Sequence, residues 1–200
     1  GRYTIQAKKE SGKYFNIVPI HKYLPHKILK NLALGFDPNL FTKNQINYYF
    51  GKNIELKPIN KNLVANKITE KISKHKLFYS LPSKITGESH KKKILTVSEI
   101  LKKNKSDYLF ISAPENVAWI LNIRGADIPF SPIPNCNLIL DKNKNIFLIA
   151  DRKKLSNLII EKKISSKQII NPKKFEIFIN SLKGCKIMID AKTCSIYNET

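Results

Sequence analysis

An α/β fold is predicted for this 200-residue chain by three observations. Strand-like and helix-like segments alternate from residue 89 to residue 190, and two of the strands are joined by a polar turn at 141–144. A stretch punctuated by Pro82, Ser83 and Gly87, residues 80–87, reads as a linker that separates this succession from an upstream portion. The upstream portion starts without an initiator Met, and the downstream portion stops inside a helical pattern. The expectation is therefore one truncated domain, residues 1–79, and one nearly complete domain, residues 88–200, taken from a longer protein.

The elements follow in order. Tyr3, Ile5 and Ala7 alternate on one face and predict the end of a strand over 1–7, and Tyr14 to Ile20 is a second apolar stretch. Ile28, Leu29, Leu32 and Ala33 recur at helical spacing after Pro25 and predict a helix over 25–34, broken by Gly35-Phe36-Asp37-Pro38. Thr42 caps a helix running to Phe50, Ile54 to Ile59 is a short strand, and 62–75 is charged and helix-prone. Beyond the linker, Ile94, Leu95, Val97, Ile100 and Leu101 form the apolar stripe of a helix over 89–104. Residues 107–112 predict a buried strand, and Pro114 opens a short helix with Val117, Ile120 and Leu121 inward. Strands at 137–140 and 145–150, a helix near 154–160, a strand near 168–170, a helix over 172–182, a strand at 186–190 and the start of a helix at 193–200 complete the series.

Composition narrows the function. The net charge of +21 is carried by lysine: only Arg2, Arg124 and Arg152 among 36 basic residues are arginine. Lys, Ile and Asn number 33, 30 and 20, the signature of a biased codon usage rather than of a binding face. Guanine and phosphate recognition leans on the bidentate guanidinium, so a solvated lysine surface is preferred here over a nucleic-acid footprint. No apolar run approaches the roughly 18–20 residues of a membrane helix. Cys136, Cys185 and Cys194 are odd in number and dispersed, which fits a reducing cytoplasm rather than a disulfide framework.

Catalytic patterns are absent. Phosphate-cradling glycine loops, H-E-x-x-H and C-x-x-C are missing; His21 and His26 flank Pro25 on different faces, and His75 and His90 sit beside lysines. No metal is expected to be held by this segment. One stretch stands apart: residues 114–134 hold Trp119, the sole tryptophan, together with Arg124, Gly125, Asp127 and several prolines. A stiffened turn directly after a helix either closes on itself, with Trp119 in the core and Arg124 paired to Asp127, or presents Arg124 to a ligand or partner domain.

The same stretch resembles a known family. Trp119-Ile-Leu-Asn-Ile-Arg-Gly-Ala-Asp-Ile-Pro, preceded by Glu115-Asn-Val-Ala, is similar to the A-W-L-L-N-[IL]-R-G-S-D-[IV]-P signature of Xaa-Pro aminopeptidases of the creatinase/prolidase group. Gly1-Arg2-Tyr3-x-x-Gln6-Ala7, Gly35-Phe36-Asp37-Pro38-x-Leu40, Asn62-Leu63-Val64, and Thr86-Gly87-Glu88-Ser89 with Lys93 resemble further family motifs in the same order. Ala65, Ile68 and the segment Ser131-Pro-Ile-Pro-Asn135 depart from the family pattern.

The resemblance implies creatinase/prolidase N-terminal-type domains, each a mixed sheet flanked by helices in an RNase-H-like arrangement. It implies a parent metallo-aminopeptidase in the cytoplasm that releases the N-terminal residue from peptides with proline in second position. A dinuclear divalent metal, manganese, would sit in a C-terminal "pita-bread" domain that this chain lacks. This segment would then be inactive alone, shaping substrate access and contributing to dimer contacts, with Trp119, Asn122, Arg124 and Asp127 as candidates for touching substrate or a neighbouring domain. The implied partners are the catalytic domain, the peptide and a second copy, with neither nucleic acid nor membrane. The alternative is a creatinase-like binding module without catalysis.

Overall fold

The computed structural model describes residues 2–51, 54–59, 61–64 and 76–200, which group into two compact units. The first comprises residues 1–68 with 195–198 and 200; the second comprises residues 69–194 and 199.

In the first unit, Arg2–Ser11 forms α1, not the expected strand. A helix satisfies its backbone hydrogen bonds within the segment, whereas a strand needs a partner edge, and no described strand pairs with these residues. Gln6 Nε2 donates to Glu10 Oε1 one turn on, at 2.9 Å. The expected helix over 25–34 is a single turn, α2 (Pro25–Ile28), followed by strand β1 (Ala33–Phe36). The reason is tertiary: β1 pairs in parallel with β2 (Glu55–Pro58), and Asn31 adopts a left-handed φ of 53° that interrupts any helix. Helix α3 (Lys43–Phe50) is capped as expected, with Thr42 Oγ1 accepting from Gln45 N at 3.2 Å and Gln45 Oε1 accepting from Thr42 N at 2.9 Å. Asp37 closes the Gly-Phe-Asp-Pro turn, accepting from Asn39 N at 2.9 Å and Asn62 Nδ2 at 3.0 Å. Those bonds, the Asn39 backbone N–H first, hold its carboxyl below the ordinary range. Phe36, Phe41 and Phe50 meet edge to face, and the C-terminal turn α9 (Ile196–Glu199) is pinned by Ile196 N to Phe41 O at 2.9 Å. Most of the expected helix over 62–75, with Ala65 and Ile68, lies outside the described residues.

The second unit is built on a five-stranded mixed sheet. Residues 80–87, expected as a linker, instead carry the end of strand β3 (Tyr79–Ser80) and the turn α4 (Ser83–Thr86). Helix α5 (His90–Lys103) is capped by Ser89, strand β4 is Tyr108–Ile111, and α6 is Pro114–Leu121. A two-residue strand β5 (Ile123–Arg124) that local patterning did not announce pairs antiparallel with β3. Strands β6 (Asn137–Asp141) and β7 (Ile146–Ile149), helix α7 (Ser156–Ile160), strand β8 (Ile169–Ile170), helix α8 (Phe175–Ser181) and strand β9 (Ile187–Ile189) follow as expected to within a few residues. The sheet order is β8-β7-β6-β4-β9, antiparallel at β4–β6 and β6–β7, parallel at β4–β9 and β7–β8.

The period of two sorts the sheet into two faces. Leu138, Leu140 and Leu148 pack with Leu101, Val117, Ile120 and Leu158 on the α5–α6–α7 side. Ile139 and Ile149 face the other way with Phe110, against which Phe175 and Phe178 pack. A central strand covered on both faces is apolar along its middle, and β6 is so at Leu138, Ile139 and Leu140. The turn after it is fixed by Asp141, whose Oδ1 accepts from Asn143 N and Asn145 N, each at 2.8 Å. Asp107 ties two strand ends together, bonding Lys142 Nζ at 2.7 Å and Lys186 N at 2.9 Å. The Lys142 bond is the main reason its carboxyl is held low.

Because Leu140 is fully buried at the centre of this layer, Leu140→Ala should lower unfolding free energy by about 2–5 kcal/mol. Urea denaturation of the two proteins, followed by circular dichroism, measures it.

Candidate functional site

The segment singled out by sequence lies wholly in the second unit, and its centre is Asn122. Pro114 occupies the first turn of α6, where its missing N–H costs nothing, and Asn122 ends the helix in the left-handed region at φ 51°, ψ 46°. Asn122 is only 2% exposed, yet every polar group it carries is engaged. Its backbone N–H reaches back to Ala118 O and Trp119 O. Its Nδ2 donates to Glu88 O at 2.7 Å, while its Oδ1 accepts from Lys93 Nζ at 2.7 Å. Its carbonyl accepts from Leu81 N at 2.9 Å and Lys163 Nζ at 3.1 Å. Asparagine suits the position twice over, tolerating the left-handed backbone and offering both a donor and an acceptor.

Lys93 is the residue that the sequence reading passed over as a site. It is 3% exposed, on the inner side of α5 next to Ile94. Its ammonium donates to Trp119 O at 2.9 Å as well as to Asn122, and lies 4.2 Å from the Trp119 ring centroid, a cation–π distance. Burial holds its pKa below the ordinary lysine range; Glu88 pulls it back and Arg124 pushes it further down. The available signal was a lysine within the buried stripe of an otherwise amphipathic helix.

Trp119 is not a core residue. Val117, Ala118, Ile120 and Leu121 take the buried positions of α6, and Trp119 is 58% exposed. Nor does Arg124 pair with Asp127. Asp127 is consumed by Lys154 Nζ at 2.5 Å and Asn135 N at 2.7 Å, which closes the loop over 127–135. The backbone enforces this arrangement at Gly125, where a Cβ would lie 2.7 Å from Pro134 Cα and 3.1 Å from Phe78 Cδ1. Arg124 is half-buried on β5 and donates through Nη1 to Ile123 O at 2.8 Å and Ala118 O at 3.3 Å. Its Nη2 and Nε have no protein partner among the described residues, so Trp119, Asn122 and Arg124 converge while Asp127 serves the loop. Lys93, Trp119, Asn122 and Arg124, with Leu81 and Ile85, line a cavity of about 120 Å³.

A larger cavity of about 390 Å³ is bordered by Ser80, His90, Lys91, Lys162 and Lys163, with Glu161 as its carboxylate. Burial first, then the charges of Lys163 and Lys91, hold His90 below the ordinary histidine value of 6.5. Cys136, buried under the 127–135 loop, has its thiol pushed up to about 12, mainly by burial. All three cysteines are free, and among the described residues no three His, Cys, Asp or Glu side chains are grouped to hold a metal ion. No described helix is long and apolar enough to cross a membrane.

Two measurements test this architecture. Asn122→Ala should cost about 2–4 kcal/mol in urea denaturation, because it strands a buried ammonium and imposes a left-handed backbone on alanine. Asn122→Gly should recover only about 1 kcal/mol of that loss, the backbone share. His90 sets a pH dependence: with a folded-state pKa below 6.5, the stability tied to its neutral form is present above that pH and lost as pH falls through the lowered value. The melting temperature should therefore fall between about pH 7 and pH 5, and the slope should flatten in His90→Gln.

A sequence model described as the Creatinase/Prolidase N-terminal domain matches residues 69–199. Xaa-Pro aminopeptidase 1 of Dictyostelium discoideum is 29% identical over 225 aligned positions, covering 99% of this chain and 35% of that protein. A probable Xaa-Pro aminopeptidase P of Laccaria bicolor is 28% identical over 148 positions, covering 66% of this chain and 23% of that protein. The crystal structure of X-prolyl aminopeptidase from Caenorhabditis elegans, described as a cytosolic enzyme with a di-nuclear active site, superposes with a TM-score of 0.70 at 25% identity, over 92% of this chain and 32% of that one. The chain thus spans about a third or less of the length of these relatives. With a mixed sheet, flanking helices and a family match across more than half its length, the chain belongs to the creatinase/prolidase N-terminal domain family.

Proposed function

We propose that this chain is the non-catalytic N-terminal region of a metal-dependent Xaa-Pro aminopeptidase, which releases the N-terminal residue from peptides with proline in second position. The observation that carries the reading is the similarity to two such peptidases over nearly the whole chain. The bond cut is a tertiary amide without an N–H, poorly matched to sites built for ordinary peptides. A dinuclear centre, manganese in this reading, belongs to a C-terminal domain outside this sequence; the di-nuclear active site of the Caenorhabditis elegans enzyme supports the reading.

The first compact unit is then the C-terminal part of a first creatinase-type domain and the second unit a second such domain, with the boundary upstream of the expected 80–87. Their work is to limit access to the catalytic domain, favouring short peptides, and to add contacts within a dimer in the cytoplasm. Trp119 and Arg124 are the side chains offered outward; Asn122 and Asp127 position them by fixing the helix end and the loop. Lysine charge keeps the surface solvated rather than binding nucleic acid or membrane.

The purified 200-residue chain should not release alanine from Ala-Pro-Ala with or without added manganese, while the full-length protein should do so in a metal-dependent way. Arg124→Lys in the full-length enzyme should lower kcat/KM by roughly ten- to a hundred-fold with a nearly unchanged melting temperature. A full-length protein that folds and binds peptides without cleaving them would establish instead a creatinase-like binding module.

A further inference from the structure

We propose that the cavity between Lys93, Trp119 and Arg124 is a binding site for a carboxylate. Two cations border it, and neither forms an ion pair among the described residues. Lys93, nearly fully buried, gives hydrogen bonds only to neutral acceptors, Trp119 O and Asn122 Oδ1. Arg124 likewise spends Nη1 on two carbonyls and leaves Nη2 and Nε unused. Glu88, the carboxylate whose charge acts on Lys93, pairs instead with Lys92 at 3.2 Å. A buried cation without a counter-anion is costly, and two together repel each other, so an anion entering the cavity is attracted by both at once.

The chemistry selects the anion. A guanidinium with one edge free binds a planar carboxylate through two parallel N–H bonds, and the ammonium contributes a point charge from the side. Leu81 and Ile85 form apolar walls, which suit a methylene stem rather than a fully hydrated inorganic ion. A volume of about 120 Å³ corresponds to a few atoms of carboxylate and stem, given that a water molecule takes roughly 30 Å³ in the liquid. The carboxylate can come from the C-terminus of a bound peptide or from an acidic side chain. The inference rests on the cavity's own charges and is independent of the peptidase reading.

Trp119 is the only tryptophan of the chain and a wall of the cavity, so its fluorescence reports occupancy directly. The 200-residue chain is titrated at constant ionic strength with acetate, Ala-Ala-Ala, Ala-Ala-Ala amide and N-acetyl-glutamate α-amide, with chloride as the control. Saturable changes are expected for the three carboxylates and not for the peptide amide or chloride. Tighter binding of Ala-Ala-Ala identifies a peptide C-terminus as the source, tighter binding of N-acetyl-glutamate α-amide identifies a side chain, and equal binding means that the site reads the carboxylate alone. Arg124→Lys, checked for fold by circular dichroism, should weaken binding tenfold or more. A readout that needs no variant is the Arg124 Nε–H resonance, one of three arginine signals, which should shift on acetate addition while Arg152 stays fixed. Absence of saturation with every carboxylate, an equal response to the amide, or undiminished binding by Arg124→Lys would overturn the proposal.

Discussion

A buried ammonium has to be satisfied, and at Lys93 the means of satisfying it organises the second unit. Lys93 sits on α5, and its partners are the carbonyl of Trp119 and the side chain of Asn122 at the end of α6. Asn122 in turn holds the Glu88 carbonyl before α5 and receives Leu81 N after β3. One side chain and one backbone carbonyl therefore fasten the approach to α5, the end of α6 and the edge where β3 meets β5. Apolar packing of Val117, Ile120 and Leu101 brings the two helices together, but it is non-directional. The hydrogen bonds to Lys93 set how far along each other the helices lie.

The same arrangement sets which side chains reach the surface. The sheet beneath is a closed matter of apolar layers, with β6 shielded on both faces and Phe110, Phe175 and Phe178 filling the far side. Where α6 ends lie a tryptophan that does not enter the core, an arginine whose Nη2 and Nε have no partner among the described residues, and a loop held shut by Lys154 and Asp127. Hydrogen bonds hold this corner from several sides: Asn122 to Glu88, Lys93, Leu81 and Lys163, and Asp127 to Lys154 and Asn135.

Charge follows a similar division. Thirty-six basic residues face fifteen acidic ones, so carboxylates are the scarce partner. Four of the aspartates are spent on structure: Asp37 and Asp141 on turns, Asp107 on strand ends, Asp127 on its loop. The corner cations are left with carbonyls and amides, while among the outer lysines Lys57, Lys92 and Lys142 pair with Glu55, Glu88 and Asp107.

Sequence by itself determined the local elements and the family. The alternation over 89–190, the caps at Thr42 and Ser89, the Pro114 helix start and the polar turn at 141–144 are all set by periods and residues within a few positions of one another. The Trp-Ile-Leu-Asn-Ile-Arg-Gly signature likewise carried the family, which the match over residues 69–199 bears out. Tertiary structure decided what needs a distant partner. Residues 33–36 became a strand because β2 lies beside them, and 2–11 became a helix because no described strand does. Asp127 met Lys154, 27 residues away, instead of Arg124, and Lys93 met Asn122 across 29 residues. Local propensity differs between such alternatives by a fraction of a kcal/mol to about 1 kcal/mol per residue, while a buried charge or an unpaired strand edge weighs several times more. Burial, which no window of sequence contains, therefore settles them.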